Sequence, residues 1–598
     1  MTRPPAARVL RHAALAVAAL GLALGLAGVR PAFLLGTLPV LGLLLWDILQ
    51  GLRRGDAGLD LLAALSMLGA LLLDEALAAS IIALMVAGGA FLEDFARARA
   101  KREMTALLAR QPRHAARHGM AGLETVAIEV LRPGDRILVR QGEVVPVDGS
   151  LLSAAAMIDA SALTGEAVPL RLTPGAAILS GTTNAGEAFD LLATKPAAES
   201  TYAGILRLVE QAQGSKAPMA RLADRWALGF LAATAAIALL AWLVSGDARR
   251  VLAVLVVATP CPLILAVPVA IIAGLSRCAA AGVLVKSGAA LELLGRVRVL
   301  VLDKTGTLTE GRARLAETLA LPGIDPAALL RLAASLDQAS THVLATGLVA
   351  AAREAGLALA TPTAVREVAG AGITGLVEGH AVALGGPELV HDFPTMPDAQ
   401  APGAARVLVA LDGVPAGVLI FADPVRTDAP AMLAAARAAG IRRVVLLSGD
   451  RQAIAEAVGH GLGVDAVLAD RSPAEKVAAV LREKPGGPVL MLGDGVNDAP
   501  ALAAADIGVA MGARGTVASA ETADAVVLVD RIDRLAEAMR IARRARGIAL
   551  QSVVAGIGLS GLGMLAAAAG QLTPVQGAVL QEVIDVAVIL NALRVLRG

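Results

Sequence analysis

The segment Asp303-Lys304-Thr305-Gly306-Thr307 follows directly on the apolar run of residues 299–302. A short apolar run that ends in a Gly/Asp turn indicates a buried strand of a parallel sheet. Ligands of such sheets bind at the carboxyl ends of the strands, so we expect Asp303 to lie at a functional site. A carboxylate placed there can attack phosphorus and form an acyl phosphate, provided that Mg²⁺ and a basic group offset the phosphate charge.

Two later segments can supply these charges. Lys476, in Ser472-Pro473-Ala474-Glu475-Lys476, is the candidate basic group, and Asp494, in the segment Gly493-Asp494-Gly495-Val496-Asn497-Asp498, is the candidate Mg²⁺ ligand. Asp450 ends a third apolar strand of the same kind. The alternation of these strands with Ala-rich helices predicts a doubly wound parallel domain.

The composition indicates that part of the chain lies in a membrane. Of the 598 residues, 56% are hydrophobic and only 18% are charged. Apolar runs near 20 residues predict eight spans, at about residues 10–28, 31–50, 59–74, 75–95, 226–245, 251–273, 548–570 and 575–595. A signal peptide is the alternative for the first run, but a second run begins at once. The basic residues that flank the spans predict a cytoplasmic N-terminus and two cytoplasmic polar segments.

Span six contains Thr259-Pro260-Cys261-Pro262, in which proline interrupts the helix and a thiolate is available to a soft or borderline metal ion. A proline kink beside a buried structural cysteine is the alternative. Span eight contains Gln581, Glu582 and Asp585 in an otherwise apolar stretch. Intramembrane carboxylates mark ion pathways, and residues three apart share a helix face, so we predict a mixed sulfur and oxygen site for a borderline divalent cation. An interhelical hydrogen-bonded pair is the alternative.

The pair of segments around Asp303 and Asp494 resembles the P-type ATPases. The eight-span plan with its Pro-Cys-Pro break resembles their heavy-metal branch, and Thr-Pro-Cys with Gln-Glu-x-x-Asp looks like its nickel- and iron-type subgroup. The resemblance implies a β-rich actuator domain, and a haloacid-dehalogenase-like α/β phosphorylation domain with an inserted α+β nucleotide-binding domain. It implies that Asp303 is the nucleophile and that Asp494, Asp303 and the Thr305 carbonyl bind Mg²⁺.

Further site residues follow from the same resemblance. Thr164, Gly165 and Glu166 match the actuator loop whose glutamate positions the hydrolytic water; Lys304, Asn497 and Asp498 complete the two phosphorylation-site segments. The nucleotide site would comprise Asp337, His342, Gly370, Gly372 and Gly375, for which a surface histidine and a plain glycine turn are the alternatives. The chain departs from the branch at Asp337, where Glu is usual, at Val343, where Pro is usual, and in showing no N-terminal metal-binding domain before the first span.

The predicted domains are residues 1–95 (spans one to four), 96–224 (actuator), 225–294 (spans five and six), 295–317 and 421–546 (phosphorylation), 318–420 (nucleotide) and 547–598 (spans seven and eight). We expect ATP and Mg²⁺ as cofactors and export of Ni²⁺, Fe²⁺, Co²⁺ or Zn²⁺ through the plasma membrane. Cytoplasmic metal donors are an implied partner. The net charge of +1 does not favour nucleic acid. The alternatives are the ATP-hydrolysing subunit of a potassium uptake complex and a membrane-anchored phosphatase.

Overall fold

The computed structural model describes residues 5–53, 60–100, 112–120, 122–160, 169–203, 218–258, 261–311, 314–340, 342–368, 371–391, 393, 405–494, 498–512 and 522–597. The chain divides into two compact units. The first comprises Met1–Arg296, Asp524–Val529 and Glu537–Gly598, and the second comprises Val297–Ala523 and Asp530–Ala536.

Four helices open the first unit: α1 (Pro5–Leu26), α2 (Pro31–Arg53), α3 (Asp60–Leu72) and α4 (Ala76–Ala100). Their shared core consists of small and flexible apolar side chains, among them Ala18, Met67 and Ile82. Many of their leucines are exposed, as expected of helices that face lipid rather than water.

A β-rich domain follows, with strands β1 (His114–Gly119), β2 (Gly122–Ala127), β3 (Arg136–Val139), β4 (Gly149–Leu151), β5 (Ala156–Asp159), β6 (Leu170–Leu172), β7 (Ala177–Ile178), β8 (Thr183–Asn184) and β9 (Phe189–Ala193). Six of them form a sheet in the order β2-β1-β3-β9-β4-β7, and three form a sheet in the order β6-β5-β8. Alternate side chains such as Ile137, Val139 and Leu191 enter one core, which confirms the β-rich domain expected from the sequence.

The next helices are α5 (Pro218–Ser245), α6 (Ala248–Val257), α7 (Cys261–Ala280) and α8 (Gly288–Leu294), and strand β10 (Val283–Val285) lies between the last two. Helix α6 ends at Val257 and α7 begins at Cys261. Helix α6 therefore ends just before the predicted proline segment, of which Thr259 and Pro260 lie outside the described residues.

The second unit contains β11 (Val299–Asp303) and an antiparallel six-stranded sheet of β12 (Arg314–Ala320), β13 (Thr363–Val368), β14 (Gly372–Val377), β15 (His380–Gly385), β16 (Ala405–Leu411) and β17 (Val414–Ala422). The strand order in this sheet is β12-β17-β16-β15-β14-β13. Helices α9 (Pro326–Asp337) and α10 (Val343–Glu354) pack with it around Leu329, Leu348 and Phe421. This subdomain lies between β11 and the rest of the phosphorylation domain in sequence, as expected of an insertion.

The remaining elements of the second unit are α11 (Ala429–Ala438), β18 (Arg443–Leu447), α12 (Gln452–Leu462), β19 (Ala466–Leu468), α13 (Pro473–Glu483), β20 (Val489–Gly493), α14 (Ala499–Ala504) and β21 (Ile507–Met511). Strands β21, β20, β11, β18 and β19 are neighbours in that order and run parallel, with β11 in the middle. This parallel sheet confirms the predicted α/β domain.

The chain ends with β22 (Ala525–Val527), which pairs with β10, and with helices α15 (Asp533–Ala568) and α16 (Pro574–Leu593). In the described part of the chain, three helical segments are long and apolar enough to cross a bilayer: Pro31–Gln50, Ala76–Ala96 and Asp533–Ala568. Shorter apolar helices include His12–Leu26, Leu61–Leu72, Gly229–Ser245 and Ala266–Ala280. A helix occupies each predicted span, while the number of eight spans stays a prediction.

Candidate functional site

Asp303 is the last residue of the central strand β11, and its side chain is only 4% exposed. The parallel strands on both sides of β11 end in the segments that carry Asp450 and Asp494. Because all these strands run in one direction, their polar ends meet at one edge of the sheet. The structure thus brings to this edge the carboxylates that the sequence named separately.

Lys476 reaches this edge from helix α13, whose start is fixed by a capping box between Ser472 and Glu475. Its Nζ donates to Asp303 Oδ1 at 2.6 Å and to Asp498 Oδ1 at 2.7 Å, and all three side chains are buried. Burial opposes the charged form of Lys476, but the two carboxylates outweigh it and hold its pKa above the ordinary value. The lysine is therefore a fixed positive charge directly beside Asp303.

Burial raises the pKa of Asp303 to about 7, and the Asp498 carboxylate adds to this rise, whereas Lys476 opposes it. Gly493 makes the close approach of Asp498 possible, since a Cβ at this glycine would lie 2.8 Å from Asp498 Oδ2. Sequence reasoning named Asp498 as part of a motif. Only the structure identifies it as the second partner of Lys476.

The loop after Asp303 turns through Gly306, which has φ +70°, a conformation that favours glycine. A Cβ at Gly306 would lie 3.1 Å from Asp494 Oδ2, so the Asp494 carboxylate sits directly over this loop. Lys304 points elsewhere and forms an ion pair with Asp450. The oxygens of Asp303, Asp494 and the extended backbone at Thr305 are of the hard type that Mg²⁺ prefers, so the residues present fit this ion.

Asp423 stabilises the other end of the same loop, and sequence reasoning missed it. Thr309 Oγ1 donates to Asp423 Oδ2 at 2.6 Å, and the backbone amides of Glu310 and Arg426 pair with Pro424 and Leu308. These contacts join the two chain segments that lead into and out of the inserted subdomain. The Asp-Pro-Val-Arg segment that starts at Asp423 is the sequence feature from which this junction could have been predicted.

In the inserted subdomain, His342 caps helix α10, and its Nδ1 accepts from the Leu344 amide at 3.3 Å. This contact leaves Nε2 of His342 as the nitrogen available to a ligand. Burial raises the pKa of Asp337 to about 6; His342 opposes this rise and Glu367 adds to it. Ser340 Oγ donates to Glu367 at 2.7 Å, so these polar groups form one cluster.

Gly372 and Gly375 both lie on strand β14. A Cβ at Gly372 would lie 2.1 Å from the Leu384 carbonyl oxygen, and one at Gly375 would lie 2.7 Å from Leu336. Packing therefore requires both glycines, whatever role they have toward a nucleotide. Gly370 lies outside the described residues, as do Thr164, Gly165, Glu166 and Asn497.

In the β-rich domain, the buried Asp148 carboxylate accepts from Ser180, Thr201 and Lys195 at distances of 2.8–3.1 Å. Burial alone would raise the pKa of Asp148, but these hydrogen bonds outweigh it and hold the pKa below the ordinary value. They tie the start of β4 to the residues at which the chain leaves the domain. Sequence reasoning missed this role of Asp148.

A second polar cluster lies among the apolar helices α15 and α16. Gln581 Nε2 donates to Asp585 Oδ1 at 2.7 Å, and Ser560 Oγ donates to Gln581 Oε1 at 3.0 Å. Gln581 is 0% exposed and Asp585 is 7% exposed. We name Ser560, Gln581 and Asp585 the polar cluster; sequence reasoning missed its member Ser560, whose hydroxyl type is common in membrane helices.

Two glycines bring the interrupted helix against this cluster. A Cβ at Gly577 would lie 2.8 Å from Val257 Cγ2, and one at Gly563 would lie 2.8 Å from Val257 Cγ1. Val257, the last residue of α6, thus packs between α15 and α16. Gly577 is one helical turn before Gln581 and Gly563 is three residues after Ser560, so the end of α6 at Val257 lies next to the polar cluster.

The predicted cation ligands are not all brought together. Thr259, Pro260 and the side chain of Cys261 lie outside the described residues. Glu582 makes no hydrogen bond to Gln581 or Asp585 among the described residues and instead lines a cavity next to α4. In the described part of the chain, no group of three or more His, Cys, Asp or Glu side chains forms a ready metal centre.

A buried aspartate that pairs with a lysine beside a second carboxylate, at the edge of a parallel sheet, is typical of phosphoryl-transfer enzymes of the haloacid dehalogenase type. Its apolar helices define it further as a membrane protein. Two families match the chain: the haloacid dehalogenase-like hydrolases over residues 297–506, and the P-type ATPase actuator domain over residues 109–210.

Relatives that match most of this chain extend this finding, although the chain spans only about two thirds of the length of the first of them. The chain is 38% identical over 545 residues to a silver-exporting P-type ATPase of Salmonella typhimurium, covering 86% of this chain and 66% of that protein. It is 33% identical over 568 residues to a manganese-exporting P-type ATPase of Mycobacterium bovis, covering 92% and 79%. A crystal structure of a zinc-transporting PIB-type ATPase in its E2·Pi state matches with a TM-score of 0.68, 32% identity and coverage of 98% and 99%. The chain belongs to the heavy-metal-exporting P-type ATPases.

Proposed function

We propose that this protein uses ATP to export a divalent transition-metal cation through the plasma membrane, with its N-terminus and catalytic domains on the cytoplasmic side. The cargo we favour is Ni²⁺, Fe²⁺, Co²⁺ or Zn²⁺. The observation that carries the proposal is the polar cluster of Ser560, Gln581 and Asp585, buried among apolar helices beside the end of helix α6 at Val257.

The chemistry of the polar cluster favours a divalent ion. Burying a carboxylate and an amide in the apolar part of a membrane helix bundle is costly unless they serve an ion or each other. Asp585 supplies a hard carboxylate oxygen, and Cys261 would supply a soft thiolate. This combination suits borderline divalent ions better than Cu⁺ or Ag⁺, which prefer sulfur alone.

The phosphorylation site supports the energy-coupling step. An Asp303 carboxylate oxygen attacks the γ-phosphorus of ATP, a new acyl phosphate bond forms, and ADP leaves with the electrons of the broken bond. Lys476 offsets the charge that gathers on the transferred group, and Asp498 holds the Lys476 ammonium in place. Asp303, Asp494 and the Thr305 carbonyl would hold Mg²⁺, which would supply positive charge to offset that of the phosphate groups. Glu166 would then orient the water that hydrolyses the acyl phosphate.

The relatives differ in their named cargo, which includes silver, manganese and zinc. Similarity at this level therefore does not select the ion, and our preference depends on the residues. A potassium-complex subunit or a simple phosphatase is not favoured, because the matched relatives are heavy-metal exporters over most of their length. A phosphatase would also leave the buried polar cluster without a role.

The test is the ATPase activity of the purified, lipid-reconstituted protein across a panel of Ni²⁺, Fe²⁺, Co²⁺, Zn²⁺, Mn²⁺, Cu⁺, Ag⁺ and K⁺. We expect stimulation by one or more divalent ions, loss of all activity in Asp303→Asn, and loss of stimulation in Cys261→Ala and Asp585→Asn. Stimulation only by Cu⁺ and Ag⁺ would contradict the divalent assignment. Activity that no metal changes would contradict the transport proposal as a whole.

A further inference from the structure

Positive charge is concentrated where the start of the apolar part of α15 meets the end of α16. Residues 541–570 contain three arginines and no acidic residue, and residues 586–598 contain two arginines and no acidic residue. The first group lies at 543–546 and the second at 594–597, so both groups fall within about one helical turn. The neighbouring turns of the two helices therefore supply no carboxylate to balance these arginines.

Arg544, Arg594 and Arg597, which we name the arginine cluster, meet at one backbone oxygen. The Arg594 carbonyl accepts from Arg544 Nη2 at 3.3 Å and from the Arg597 amide at 3.1 Å. Arg594 Nη1 donates to Asn591 Oδ1 at 2.8 Å, which orients its guanidinium group. All three arginines are exposed, so three positive side chains start from one small area of the surface. Their mutual repulsion favours an anion that binds more than one of them.

Arginines at the far end of α15 are arranged differently. Arg250 lies beside Gly570, just after α15 ends, and forms an ion pair with Asp247 at 4.0 Å. Its neighbour Arg249 forms an ion pair with Glu75 at 3.2 Å. At that end the chain balances its own basic groups with nearby acids, whereas the turns around the arginine cluster contain none.

The arginine cluster lies where the exposed apolar surface of α15 and α16 begins. Leu590, one helical turn before Arg594, is 61% exposed, and Leu550, six residues after Arg544, is 41% exposed. Six residues of helix span about 9 Å. Exposed leucines directly beside exposed arginines are typical of the boundary between the lipid tails and the headgroups, to which long basic side chains extend.

The phosphate of an anionic phospholipid fits this place in both charge and position. A guanidinium group is a planar fork that can donate to two phosphate oxygens at once. The membrane presents lipid phosphates at the level of the arginines, and the acyl chains of the same lipid can lie on the exposed leucines. A soluble phosphate compound has no part that would use this apolar surface. Basic pockets between the ends of membrane helices are known to bind such headgroups.

We propose that the arginine cluster binds the phosphate of an anionic phospholipid and that this lipid holds the ends of α15 and α16 together. Asn591, which orients Arg594, also donates to Ser552 Oγ of α15 at 2.9 Å, so a hydrogen-bonded bridge joins the two helices beside the cluster. The same two helices carry the polar cluster, so the bound lipid steadies the helix pair on which metal binding depends. This inference goes beyond the proposed function, because it requires only that these helices lie in a membrane.

The experiment measures lipid binding and turnover of the full chain. Native mass spectrometry of the protein in detergent compares the retention of phosphatidylglycerol with that of phosphatidylcholine. Metal-stimulated ATPase activity is measured in phosphatidylcholine vesicles with and without phosphatidylglycerol. The variants are Arg594→Gln, Arg597→Gln and the triple variant that adds Arg544→Gln to both. Arg249→Gln is the matched control, because it removes an exposed arginine that already has an acidic partner.

For the parent we expect preferential retention of phosphatidylglycerol and a rise in turnover of about threefold or more when this lipid is present. Each single variant should weaken retention about fivefold, the factor that one arginine near an anionic surface contributes. The triple variant should lose most of the stimulation by phosphatidylglycerol but keep its activity in phosphatidylcholine. Arg249→Gln should match the parent, since an exposed ion pair contributes little. Soluble glycerol phosphate should neither displace the lipid nor replace its effect.

Four results would overturn the lipid site. The parent could retain phosphatidylcholine as well as phosphatidylglycerol. The triple variant could keep both retention and stimulation, which would place the lipid elsewhere. Arg249→Gln could lose as much stimulation as the triple variant, which would show an effect of overall charge. Glycerol phosphate could reproduce the stimulation, which would show a site for a soluble anion.

Folding and the proposed function are tested separately. If the triple variant is unstable, the single variants decide, because glutamine in place of Arg594 keeps an amide donor for Asn591 Oδ1. Absence of metal-stimulated turnover in the parent in every lipid would contradict the proposed function. The retention measurement would still test the lipid site, because it requires no turnover.

Discussion

Replacement of Lys476 by Met tests the electrostatic arrangement at the phosphorylation site. The Lys476 ammonium lies 2.6 Å from Asp303 and 2.7 Å from Asp498, and the three side chains are at most 10% exposed. Met has nearly the same length but no charge, so the variant leaves two buried carboxylates without their shared cation. Removing one partner of a buried ion pair destabilises a protein by about 3–5 kcal/mol.

The effect on catalysis follows from the hydrogen bond to Asp303. A charge-assisted hydrogen bond contributes about 1.5–3 kcal/mol, and each 1.36 kcal/mol in the barrier changes the rate about tenfold. The loss of a donor aimed at the developing charge typically costs about 100- to 1000-fold. We therefore expect phosphoenzyme formation from radiolabelled ATP to be at least about 100-fold slower in Lys476→Met.

Two further variants separate charge from folding. Lys484→Met removes a partly exposed lysine at the end of the same helix, 3.3 Å from Asp506, and should leave phosphorylation unchanged. Lys476→Met combined with Asp498→Asn removes one of the two uncompensated carboxylates, so thermal stability should recover in part while phosphorylation stays slow. A phosphorylation rate of Lys476→Met within fivefold of the parent rate would refute the assigned role. Full recovery of the phosphorylation rate in the double variant would show that Lys476 only compensates the charge of Asp498.

Three other variants test separate parts of the molecule. Gly577→Ala places a Cβ 2.8 Å from Val257, so it should destabilise the protein by about 1–3 kcal/mol and remove most of the metal-stimulated ATPase activity. Adding Val257→Ala should restore that activity. Failure of this rescue would contradict the packing argument. Asp337 has a pKa of about 6 against 3.8 for a free side chain, so the folded state binds its proton more tightly and loses stability as pH rises from about 4 to about 6. Asp337→Asn should therefore raise the free energy of unfolding by about 1–2 kcal/mol at pH 7.5 but not at pH 4, which the unfolding temperature at each pH measures. The same variant should weaken ATP binding. Equal stabilisation at both pH values would contradict this prediction. Glu166→Gln should accumulate phosphoenzyme after a pulse of labelled ATP, because the water is no longer positioned, and normal decay would exclude that role.

The phosphorylation site was largely predictable because parallel sheets place the ends of their strands together. Once residues 299–302 are recognised as a buried strand, Asp303 must lie at the edge where Asp450 and Asp494 also lie. The pairing within the site was not predictable. Lys476 joins Asp303 over 173 residues of sequence, and nothing in its own segment says that it also binds Asp498.

Other contacts carried too weak a local signal. Asp148 is one of many aspartates before a glycine, and its hydrogen bonds reach residues 32 to 53 positions away. Asp423 pairs with Thr309 over 114 residues because two chain segments cross at the base of the inserted subdomain. Such contacts depend on how the chain returns to itself, which short-range patterns do not contain.

The sequence by itself determined the α/β and β-rich domains and the position of Asp303 at the edge of the parallel sheet, because these follow from alternation and from the ends of buried strands. The tertiary structure decided which acid of α16 faces which neighbour. Spacing alone does not separate the two acids, and only the packing of Val257 on Gly577 and of α4 beside Glu582 gives Asp585 a buried polar cluster and Glu582 the wall of a cavity.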